Sequence, residues 1–360
     1  MDSRAVIEQI LDFARWAPSG DNTQPWRFEI IAPNHVAVHG FDTRDHCVYD
    51  LDGHPSQIAL GALIETAAIA ASHHGLRTLA RRRPDSPEHR PVFDLEFVAD
   101  AGLAPDPLQA VVKTRSVQRR PMQTQRLSDA QKQALEAAIG ADYAVDWLER
   151  TADRLKVAKM LFHSAKIRLT IPEAYRVHKD IIEWRAQFSE DRVPDQALGT
   201  DPMTTRLMQF VMQSWGRVET FNRFFAGTWA PRIQLDFIPG VACAAHFLLL
   251  AKTPVRTIDD YVAAGRAIQR FWLTATQQGL QLQPEVTPLV FTRYAREKVA
   301  FSSKSGAQQM AQELDERFTR VVGAHAAAHA VFMGRVGVGR QPTSRSLRRP
   351  LSRLLSLEAK

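Results

Sequence analysis

The same order of local patterns occurs twice in this chain, and the repetition is the strongest constraint on its fold. At residues 58–80, and again at 260–291, a helix-forming stretch rich in small residues is followed by a Gly-Leu pair and then by an extended segment. Recurrence of one supersecondary unit indicates repeated structural units that pack against each other. The pattern therefore predicts a chain with two related halves.

The composition is that of a globular protein of ordinary charge content. Of the 360 residues, 45% are apolar and 24% are charged, which suffices for a sizeable core. The longest apolar run, residues 237–251, is too short to span a bilayer, and the N-terminus lacks the pattern of a secretory signal. Cys47 and Cys243 cannot form a disulfide framework. These observations predict a cytoplasmic protein without a membrane partner.

Most of the net charge of +7 lies near the C-terminus. Six basic residues and one acidic residue fall in residues 340–360, and a second basic cluster occupies residues 81–83. The rest of the chain is nearly neutral, so a nucleic-acid partner is not expected. The basic tail has two interpretations, a solvated terminus or a site for a phosphate, an acidic cofactor or a partner.

Hydrophobic periodicity and turn residues predict the order of helices and strands. Helices are predicted at residues 6–17, 56–75, 128–140, 240–252, 257–278 and 306–323. Strands are predicted at 27–31, 35–39, 93–97, 143–148 and 330–333, with one more in 280–291 that Pro284 and Pro288 interrupt. Residues 99–113 indicate a linker between the halves. The aromatic-rich residues 151–235 indicate an inserted helical region that can serve as a lid.

The most informative stretch is residues 17–28 (APSGDNTQPWRF), in which a helix ends and a polar loop leads directly into a strand. The small residues around Ser19 let a planar ligand approach the backbone. Ser19, Asn22 and Gln24 offer the donors and acceptors that the edge of a pyrimidine-like ring requires. The alternative is an ordinary helix-to-strand turn with Trp26 in the core, and the residues alone do not decide between the two.

The pattern Ala-Pro-Ser-x-x-Asn-x-Gln-Pro-Trp-x-Phe at residues 17–28 resembles the signature loop of the nitroreductase superfamily. Weaker motifs extend the resemblance over most of the chain except about 151–235. They are similar to the large single-chain branch that includes Acg-like FMN-binding proteins and the nitroreductase domains of some ThiF-type fusions. These motifs are Phe41-Asp42-x-Arg44 with Asp50, Ile58-x-x-Gly61-Ala62, Arg115-Ser116-Val117-Gln118-Arg119-Arg120, Asp260-x-x-x-x-Gly265-Arg266-Ala267-x-Gln269-Arg270, Gly334-Arg335-x-Gly337 and Arg345-Ser346-Leu347-Arg348-Arg349-Pro350.

The resemblance implies an α+β, nitroreductase-like fold in which two pseudo-symmetric halves of one chain take the place of the family's dimer. The first half is expected at residues 1–110, and the second at 111–360 with the helical insertion at about 151–235. In the family, FMN lies at the interface between an Arg-x-Ser loop and a Pro-Ser-x-x-Asn loop, which in this sequence fall in different halves. The resemblance therefore implies one composite FMN site per chain, in a monomer or a homodimer.

The resemblance also implies which residues contact FMN. The phosphate dianion needs fixed guanidinium donors, for which Arg115 and Arg119 are the first candidates, and Ser116 adds a hydroxyl donor. The segment after the second Gly-Leu pair is expected to present backbone groups near the reactive flavin nitrogen. The predicted cofactor site comprises Pro18, Ser19, Asn22, Gln24, Arg115, Ser116, Arg119, Gln283, Pro284, Arg345, Arg348 and Arg349.

The implied activity is that of an oxidoreductase. NAD(P)H would reduce FMN by hydride transfer, and the reduced flavin would then reduce a nitroaromatic, quinone or similar small-molecule acceptor. No catalytic side chain is predicted, because the cofactor carries the chemistry. Two alternatives stay open, a protein that sequesters FMN under a closed lid with little turnover, and a basic-tailed interaction module without flavin.

Two further patterns carry weaker signals. His325 and His329 have the i, i+4 spacing of a metal-binding pair, but no clear third ligand accompanies them, and no metal site is predicted. Residues 334–339 (GRVGVG) resemble a dinucleotide-binding loop. They lack the third glycine of that fingerprint and the helix that should follow it, so a Rossmann site is not expected.

Overall fold

The computed structural model describes residues 3–225 and 227–355, which form an α+β structure with two four-stranded antiparallel sheets. The predicted fold class is confirmed. The helices are α1 (Ser3–Ala14), α2 (His54–Ser72), α3 (Gln109–Val112), α4 (Asp129–Ala138), α5 (Thr151–Thr170), α6 (Pro172–Ile181), α7 (Pro202–Val211), α8 (Trp215–Phe224), α9 (Trp229–Pro231), α10 (Ile238–Val241), α11 (Ile258–Gln277), α12 (Thr287–Arg296), α13 (Ala307–Val322), α14 (Ala324–His329) and α15 (Leu351–Leu354). The strands are β1 (Trp26–Ala32), β2 (His35–Gly40), β3 (Leu76–Arg82), β4 (Val92–Ala99), β5 (Tyr143–Leu148), β6 (Ile182–Glu183), β7 (Phe188–Ser189), β8 (Val193–Pro194), β9 (Ala245–Ala251), β10 (Gln281–Pro284), β11 (Ala330–Gly337) and β12 (Arg345–Ser346).

The first sheet has the strand order β1-β2-β4-β3 and packs against α1 and α2. Alternation along β1 buries Trp26 and Phe28, and Val36 and Val38 of β2 join them in one hydrophobic core. The predicted opening helix, the β1–β2 hairpin and the helix near residues 56–75 are confirmed. Trp26 lies in the core, as the ordinary-turn interpretation of residues 17–28 required.

The second sheet has the strand order β10-β11-β9-β5 and packs against α4 and α11. Ser128 caps α4 as the sequence predicted, because its side chain accepts a hydrogen bond from the Gln131 N–H at 3.2 Å. The predicted strands at 143–148 and 330–333 and the helix at 257–278 are also confirmed. Each half thus contributes one antiparallel sheet and one long central helix.

The prediction of a helix at residues 240–252 was wrong. Only Ile238–Val241 is helical, and β9 pairs with both β11 and β5 in the interior of the second sheet. Because both faces of β9 are buried, its residues other than His246 are apolar, without alternation. A short apolar run of this kind has no period that distinguishes a central strand from a buried helix.

Pro288 and Gly334 also have structural roles that differ from those their sequence patterns suggested. Pro288 does not interrupt a strand, since β10 ends at Pro284 and Pro288 lies in the first turn of α12, where its missing N–H costs no hydrogen bond. Gly334 belongs to β11 and not to a ligand-binding loop. A Cβ at that position would lie 2.9 Å from the Gln283 carbonyl oxygen, so close packing between strands explains this glycine.

Residues 151–235 are mostly helical, as predicted, and α5 to α9 follow one another there. The exceptions are the short strands β6, β7 and β8, of which β6 and β8 pair in parallel with each other. No helix in the described part of the chain is long and apolar enough to cross a membrane.

The basic tail is part of the fold as far as Leu355. Its strand β12 pairs in parallel with β7 of the insertion, and Leu354 is fully buried in the core of the first half. The interpretation as a solvated terminus is therefore wrong for Arg345, Arg348 and Arg349, which are buried or half-buried, whereas Arg353 is exposed. Residues 356–360, which carry the tail's last two charges, lie outside the described residues.

The two halves meet where α2 crosses α11. Gly61 and Gly265 lie at the crossing, and a Cβ on either glycine would overlap a backbone carbonyl oxygen of the opposite helix. Arg266 and Arg270 of α11 each bind the carboxylate of Glu65 on α2 at 2.8 Å. Backbone contact and ion pairing thus fix the two central helices against each other, and both helices contribute to the cavity described next.

Candidate functional site

A cavity of about 300 Å³ lies between α2, α11, the loop that follows α1 and the C-terminal tail. Apolar side chains from both halves form much of its wall, including Trp16, Ile58, Ile268 and Trp272. Most of the predicted cofactor residues line it as well. These are Pro18, Ser19, Asn22, Arg115, Ser116, Arg119, Gln283, Pro284, Arg345 and Arg348.

The loop at residues 19–24 has a strained backbone. Asp21, Asn22 and Gln24 have φ angles of 50°, 62° and 52°, in the left-handed region that residues other than glycine seldom adopt. The Gln24 N–H donates to Ser19 Oγ at 3.0 Å, and Asn22 Nδ2 donates to the Arg192 carbonyl in the insertion at 3.2 Å. Such conformations persist only where surrounding contacts hold them, and they cluster at ligand-binding sites.

Gln24 and Arg349 are the two predicted residues that do not line the cavity. The fully buried Gln24 side chain donates to the carbonyls of Asn22 and Glu190, at 3.1 and 2.9 Å, and accepts from the Arg349 N–H at 2.9 Å. The Arg349 guanidinium pairs with Asp191 at 3.3 Å. These contacts join the loop, the insertion and the tail, so both residues hold the walls of the cavity together.

Three lining arginines come together at one part of the cavity. Arg115 lies over the ring of Trp272, with its Cζ 4.5 Å from the ring centroid, and Arg345 lies over Trp16 at 5.3 Å. Arg348 is buried beside them, and its Nε donates to a backbone carbonyl at 3.0 Å. Within residues 3–225 and 227–355, the charges that act most strongly on this arginine cluster are other arginines, not carboxylates.

The arginine cluster is short of negative charge. Burial lowers the pKa of Arg115 to about 9, with the charge of Arg345 adding to the effect. Burial, together with Arg115 and Arg345, lowers the pKa of Arg348 well below its ordinary value. A dianion between these groups would relieve their mutual repulsion, and planar guanidinium groups match the oxygens of a phosphate. This part of the cavity is therefore suited to a phosphate group.

Arg119 lies apart from the arginine cluster. Burial lowers its pKa to about 10, and the charges that act on it belong to Asp21, Arg335 and Arg120. Burial also raises the pKa of Asp21 to about 6, against the attraction of Arg119. The acidic group that acts most strongly on Arg119 is thus Asp21, whereas the charge that acts most strongly on Arg115 is that of Arg345.

The sequence analysis missed a buried charged network formed by His246, Glu285 and Arg335. It supports the part of the cavity wall that contains Arg119. His246 donates through Nδ1 to Glu285 and through Nε2 to the Gly240 carbonyl, at 2.7 Å each, which requires a doubly protonated ring. Arg335 binds the other Glu285 oxygen at 2.8 Å and donates to the Arg119 carbonyl at 2.8 Å. Burial alone would lower the pKa of His246, but the Glu285 carboxylate raises it to about 10.

This network predicts a pH-dependent stability. Because the pKa of His246 is raised from 6.5 to about 10, its contribution is complete below pH 6.5 and is lost as the pH rises through 10. Compared with His246→Gln, the wild-type chain should be more stable at pH 6 by roughly 3 kcal/mol, and this advantage should shrink towards pH 10. Urea unfolding at pH 6, 8 and 10 measures it, with the exposed His89→Gln as the control. An advantage that grows with pH would contradict the assignment.

The cavity contains polar atoms that lack a partner within the described chain. Arg115 Nε, Asn22 Oδ1 and Gln283 Oε1 are buried without a hydrogen bond. They offer one donor and two acceptors, between apolar walls and beside an arginine cluster. A flavin mononucleotide presents a flat apolar ring, ring-edge N–H and C=O groups, and a phosphate. The residues present therefore fit FMN.

Part of the chain matches the sequence model of a known family. The sequence model of the Nitroreductase family matches residues 3–161, which include the loop at 17–28, α2 and the arginines at 115 and 119. The match covers somewhat less than half of the chain and is a similarity to that family.

Relatives are distant. Over 97% of its length the chain is 24% identical to the uncharacterized protein MT1398 of Mycobacterium tuberculosis, and the match covers 48% of that protein, so the chain spans about half the length of this relative. A nitroreductase-like family protein from Bacillus cereus is 12% identical, with a TM-score of 0.35 over 70% of this chain and 96% of that chain. The FMN-dependent nitroreductase NfnB from Mycobacterium smegmatis in complex with NADPH is 13% identical, with a TM-score of 0.36 over 70% and 97%.

Several residues in the cavity wall or in the charged network beside it escaped the sequence analysis. Trp16 directly precedes the signature loop, and Trp272 lies on a predicted helix, but nothing in the sequence indicated that both would contact arginines. Glu285 and Arg335 lie in or beside stretches that the resemblance had marked, yet their pairing is a long-range contact. Among the described residues, no group of three or more His, Cys, Asp or Glu side chains is placed to hold a metal ion.

Proposed function

We propose that this chain binds one FMN in the cavity between its halves and acts as an NAD(P)H-dependent oxidoreductase on nitroaromatic or quinone-like acceptors. The observation that carries the proposal is the carboxylate-poor cluster of Arg115, Arg345 and Arg348 in the same cavity as the strained loop of Ser19 and Asn22. The match of the Nitroreductase family model to residues 3–161 supports it. Bound FMN would supply the two-electron chemistry between NAD(P)H and acceptor, which the side chains do not.

The chain's own residues would bind and polarise the cofactor. The three clustered arginines hold the phosphate, and the oxygens of Asn22 and Gln283 accept from the ring edge. Arg119, on which the charges of Asp21 and Arg335 act, favours negative charge on the flavin ring system when the flavin is reduced. Both halves contribute to this one site, so a monomer is sufficient for binding.

Sequestration of FMN is the second candidate function. It is favoured by the insertion, whose residues 190 and 192 bind the signature loop through their carbonyls and whose Val193 and Ala197 line the cavity. If these contacts stay closed when FMN is bound, a reductant cannot reach the ring. Retention without turnover would be the result.

Two measurements test these proposals in sequence. The visible spectrum of the purified protein, and quenching of FMN fluorescence during titration, report binding. Anaerobic addition of NADPH or NADH to the flavin-loaded protein then reports reduction as loss of the visible absorbance of the oxidised flavin. Bleaching followed by reoxidation with a quinone supports the oxidoreductase. Retained colour supports sequestration, and failure to bind FMN would leave the basic-tailed interaction module.

A further inference from the structure

Exposed apolar side chains are concentrated in the insertion, in the segment from α7 to α9. Of the fourteen large apolar side chains that are exposed in the described chain, eight lie between residues 203 and 238. None of the residues of α7, α8 and α9 is buried. Exposed apolar patches of this kind mark surfaces that contact a partner or a membrane. The outer face, as we name it, consists of Met203, Leu207, Phe210, Phe224, Phe225 and Trp229.

Helix α7 turns an apolar stripe away from the protein. Met203, Leu207 and Phe210 have the i, i+4, i+7 spacing that places side chains on one side of a helix, and all three are exposed, Met203 by 79%. The end of the helix is held by the Tyr175 hydroxyl, which donates to the Met212 carbonyl at 3.1 Å. A surface helix ordinarily buries such a stripe against the core, so the stripe of α7 is left without a partner in the described chain.

The other aromatic residues of the outer face adjoin the start of α7. Trp229 belongs to α9, which continues into a helical turn that carries Gln234. Gln234 Nε2 donates to Asp201, the N-cap residue of α7, at 2.9 Å and to Thr204 Oγ1 at 3.2 Å. Phe224, at the end of α8, is 69% exposed. The apolar residues of α7 and those that follow α8 are therefore neighbouring parts of one surface.

Exposed arginines accompany these apolar side chains. Arg206, Arg217 and Arg223 are exposed, and none of them has an ion pair within residues 3–225 and 227–355. The Cζ of Arg217 lies 4.4 Å from the ring centroid of Phe210, and that of Arg223 lies 5.3 Å from the ring centroid of Phe224. Residues 202–235 contain four arginines and one acidic residue. The outer face thus combines protruding rings with an excess of positive charge.

This charge indicates what covers the outer face. A second copy of the chain would bring the same arginines against the surface, and like charges opposed across an interface repel each other. A bilayer that contains anionic lipids offers negative phosphates to the arginines and an apolar layer to the rings. Helices that combine aromatic and aliphatic residues with arginines lie in the plane of such an interface. Arginine can reach the head groups while its stem follows the apolar side chains.

We propose that the outer face binds the surface of anionic phospholipid bilayers reversibly, with the rings of Phe210, Phe224 and Trp229 at the acyl boundary and the three exposed arginines at the lipid phosphates. Binding in the interface requires no membrane-spanning helix, and none is present in the described chain. The expectation of no membrane partner rested on spanning segments and signals, and the proposal revises it. The proposal does not depend on flavin, because it uses no residue of the arginine cluster.

Co-sedimentation of the full chain with vesicles tests the proposal. Vesicles of phosphatidylcholine with about 30% phosphatidylglycerol should bind the protein at least about tenfold more tightly than vesicles of phosphatidylcholine alone. Because the charges are exposed, added salt should weaken this binding. The protein with FMN added and the protein without it should bind alike, so the result is separate from the test of the flavin function.

Two double variants separate the apolar contribution from the charge. Leu207→Ser combined with Phe224→Ser should lower the affinity for the anionic vesicles about 30-fold, because two apolar side chains are no longer buried in the acyl boundary. Arg206→Gln combined with Arg223→Gln should lower it about 25-fold, or about fivefold for each charge. The replaced side chains are exposed, so urea unfolding should match the wild type in both variants.

Leu79→Ser combined with Arg81→Gln makes the same chemical changes at exposed positions of β3, outside the insertion, and is the matched control. It should bind anionic vesicles as the wild type does. The proposal is overturned if the wild type does not bind anionic vesicles, if either insertion variant binds as well as the wild type, or if the control loses as much affinity. A lipid-free dimer in sedimentation velocity that Leu207→Ser with Phe224→Ser dissociates, without vesicle binding, would assign the outer face to a second copy.

Discussion

Replacement of Arg115 by methionine is expected to weaken FMN binding about 100-fold, or about 2.7 kcal/mol, because charge-assisted hydrogen bonds to a phosphate each contribute about 1.5–3 kcal/mol. Arg115 is 6% exposed, its Nε has no partner in the described chain, and the charge of Arg345 acts directly on it. Methionine keeps an unbranched apolar chain over the Trp272 ring and removes only the charge and the donors.

The flavin-free protein should tolerate this substitution. Arg115 loses its hydrogen bond to the Trp16 carbonyl, at 3.0 Å, but Arg348 is released from a neighbouring like charge. The melting temperature without FMN is therefore expected to change little. Arg90→Met, at an exposed position before β4, is the matched control and should affect neither quantity.

Riboflavin separates a phosphate contact from a ring contact. It shares the ring and the ribityl chain with FMN but has no phosphate, so a residue that binds only the phosphate should not affect it. We expect fluorescence titrations to show a loss of affinity for FMN and unchanged affinity for riboflavin in Arg115→Met. An equal loss of affinity for both ligands would show that Arg115 contacts the ring or the ribityl chain. Unchanged affinity for both would show that Arg115 does not belong to the site.

The local part of the site could be predicted from sequence because its signals are local. Ser19 and Asn22 stand in one short motif, and the arginines occur in two compact basic segments. What the sequence could not supply is the relation between distant segments. Nothing in the order of residues shows that the charge of Arg345 acts on Arg115, whereas that of Asp21 acts on Arg119. This difference depends on how the segment at 115–119 lies beside β10. There, Val117 forms a parallel bridge with Leu282.

The secondary structure likewise divides into elements that local patterns predict and elements that only long-range contacts define. Amphipathic helices and the hairpin were predictable, since alternation or a 3.6-residue period marks which face is buried. Strand β9 was not, because an interior strand buried on both faces carries no alternation, and only its pairing with β5 and β11 defines it. A second cavity, of about 320 Å³, was equally invisible, as its polar residues Tyr49, Ser164 and His178 come from three elements without a shared motif.

Substitution of Gly61 by valine is expected to have the largest effect on stability. A Cβ at this position would overlap the carbonyl oxygen of Val262 and lie 2.9 Å from the Gly265 Cα, so the clash is with backbone and no side chain can move to relieve it. The free energy of unfolding should fall by about 4 kcal/mol or more, because overpacking against a rigid backbone separates the two helices and their cores. Urea denaturation measures the loss.

The milder Gly61→Ala and Gly265→Ala keep the argument testable if the valine variant does not fold. Each adds one methyl group that meets the backbone of the opposite helix, so a loss of about 2 kcal/mol is expected in either case. Since α2 and α11 also line the proposed FMN cavity, through Ile58 and Ile268, the same variants should weaken FMN binding without touching the arginine cluster.

Gly216→Ala on α8 is the control, because a Cβ there meets no atom within 4 Å and alanine favours a helix by up to about 1 kcal/mol. Wild-type stability in both alanine variants would show that the two halves are not held in backbone contact, and the account of the cavity as a space set by that contact would fail with it.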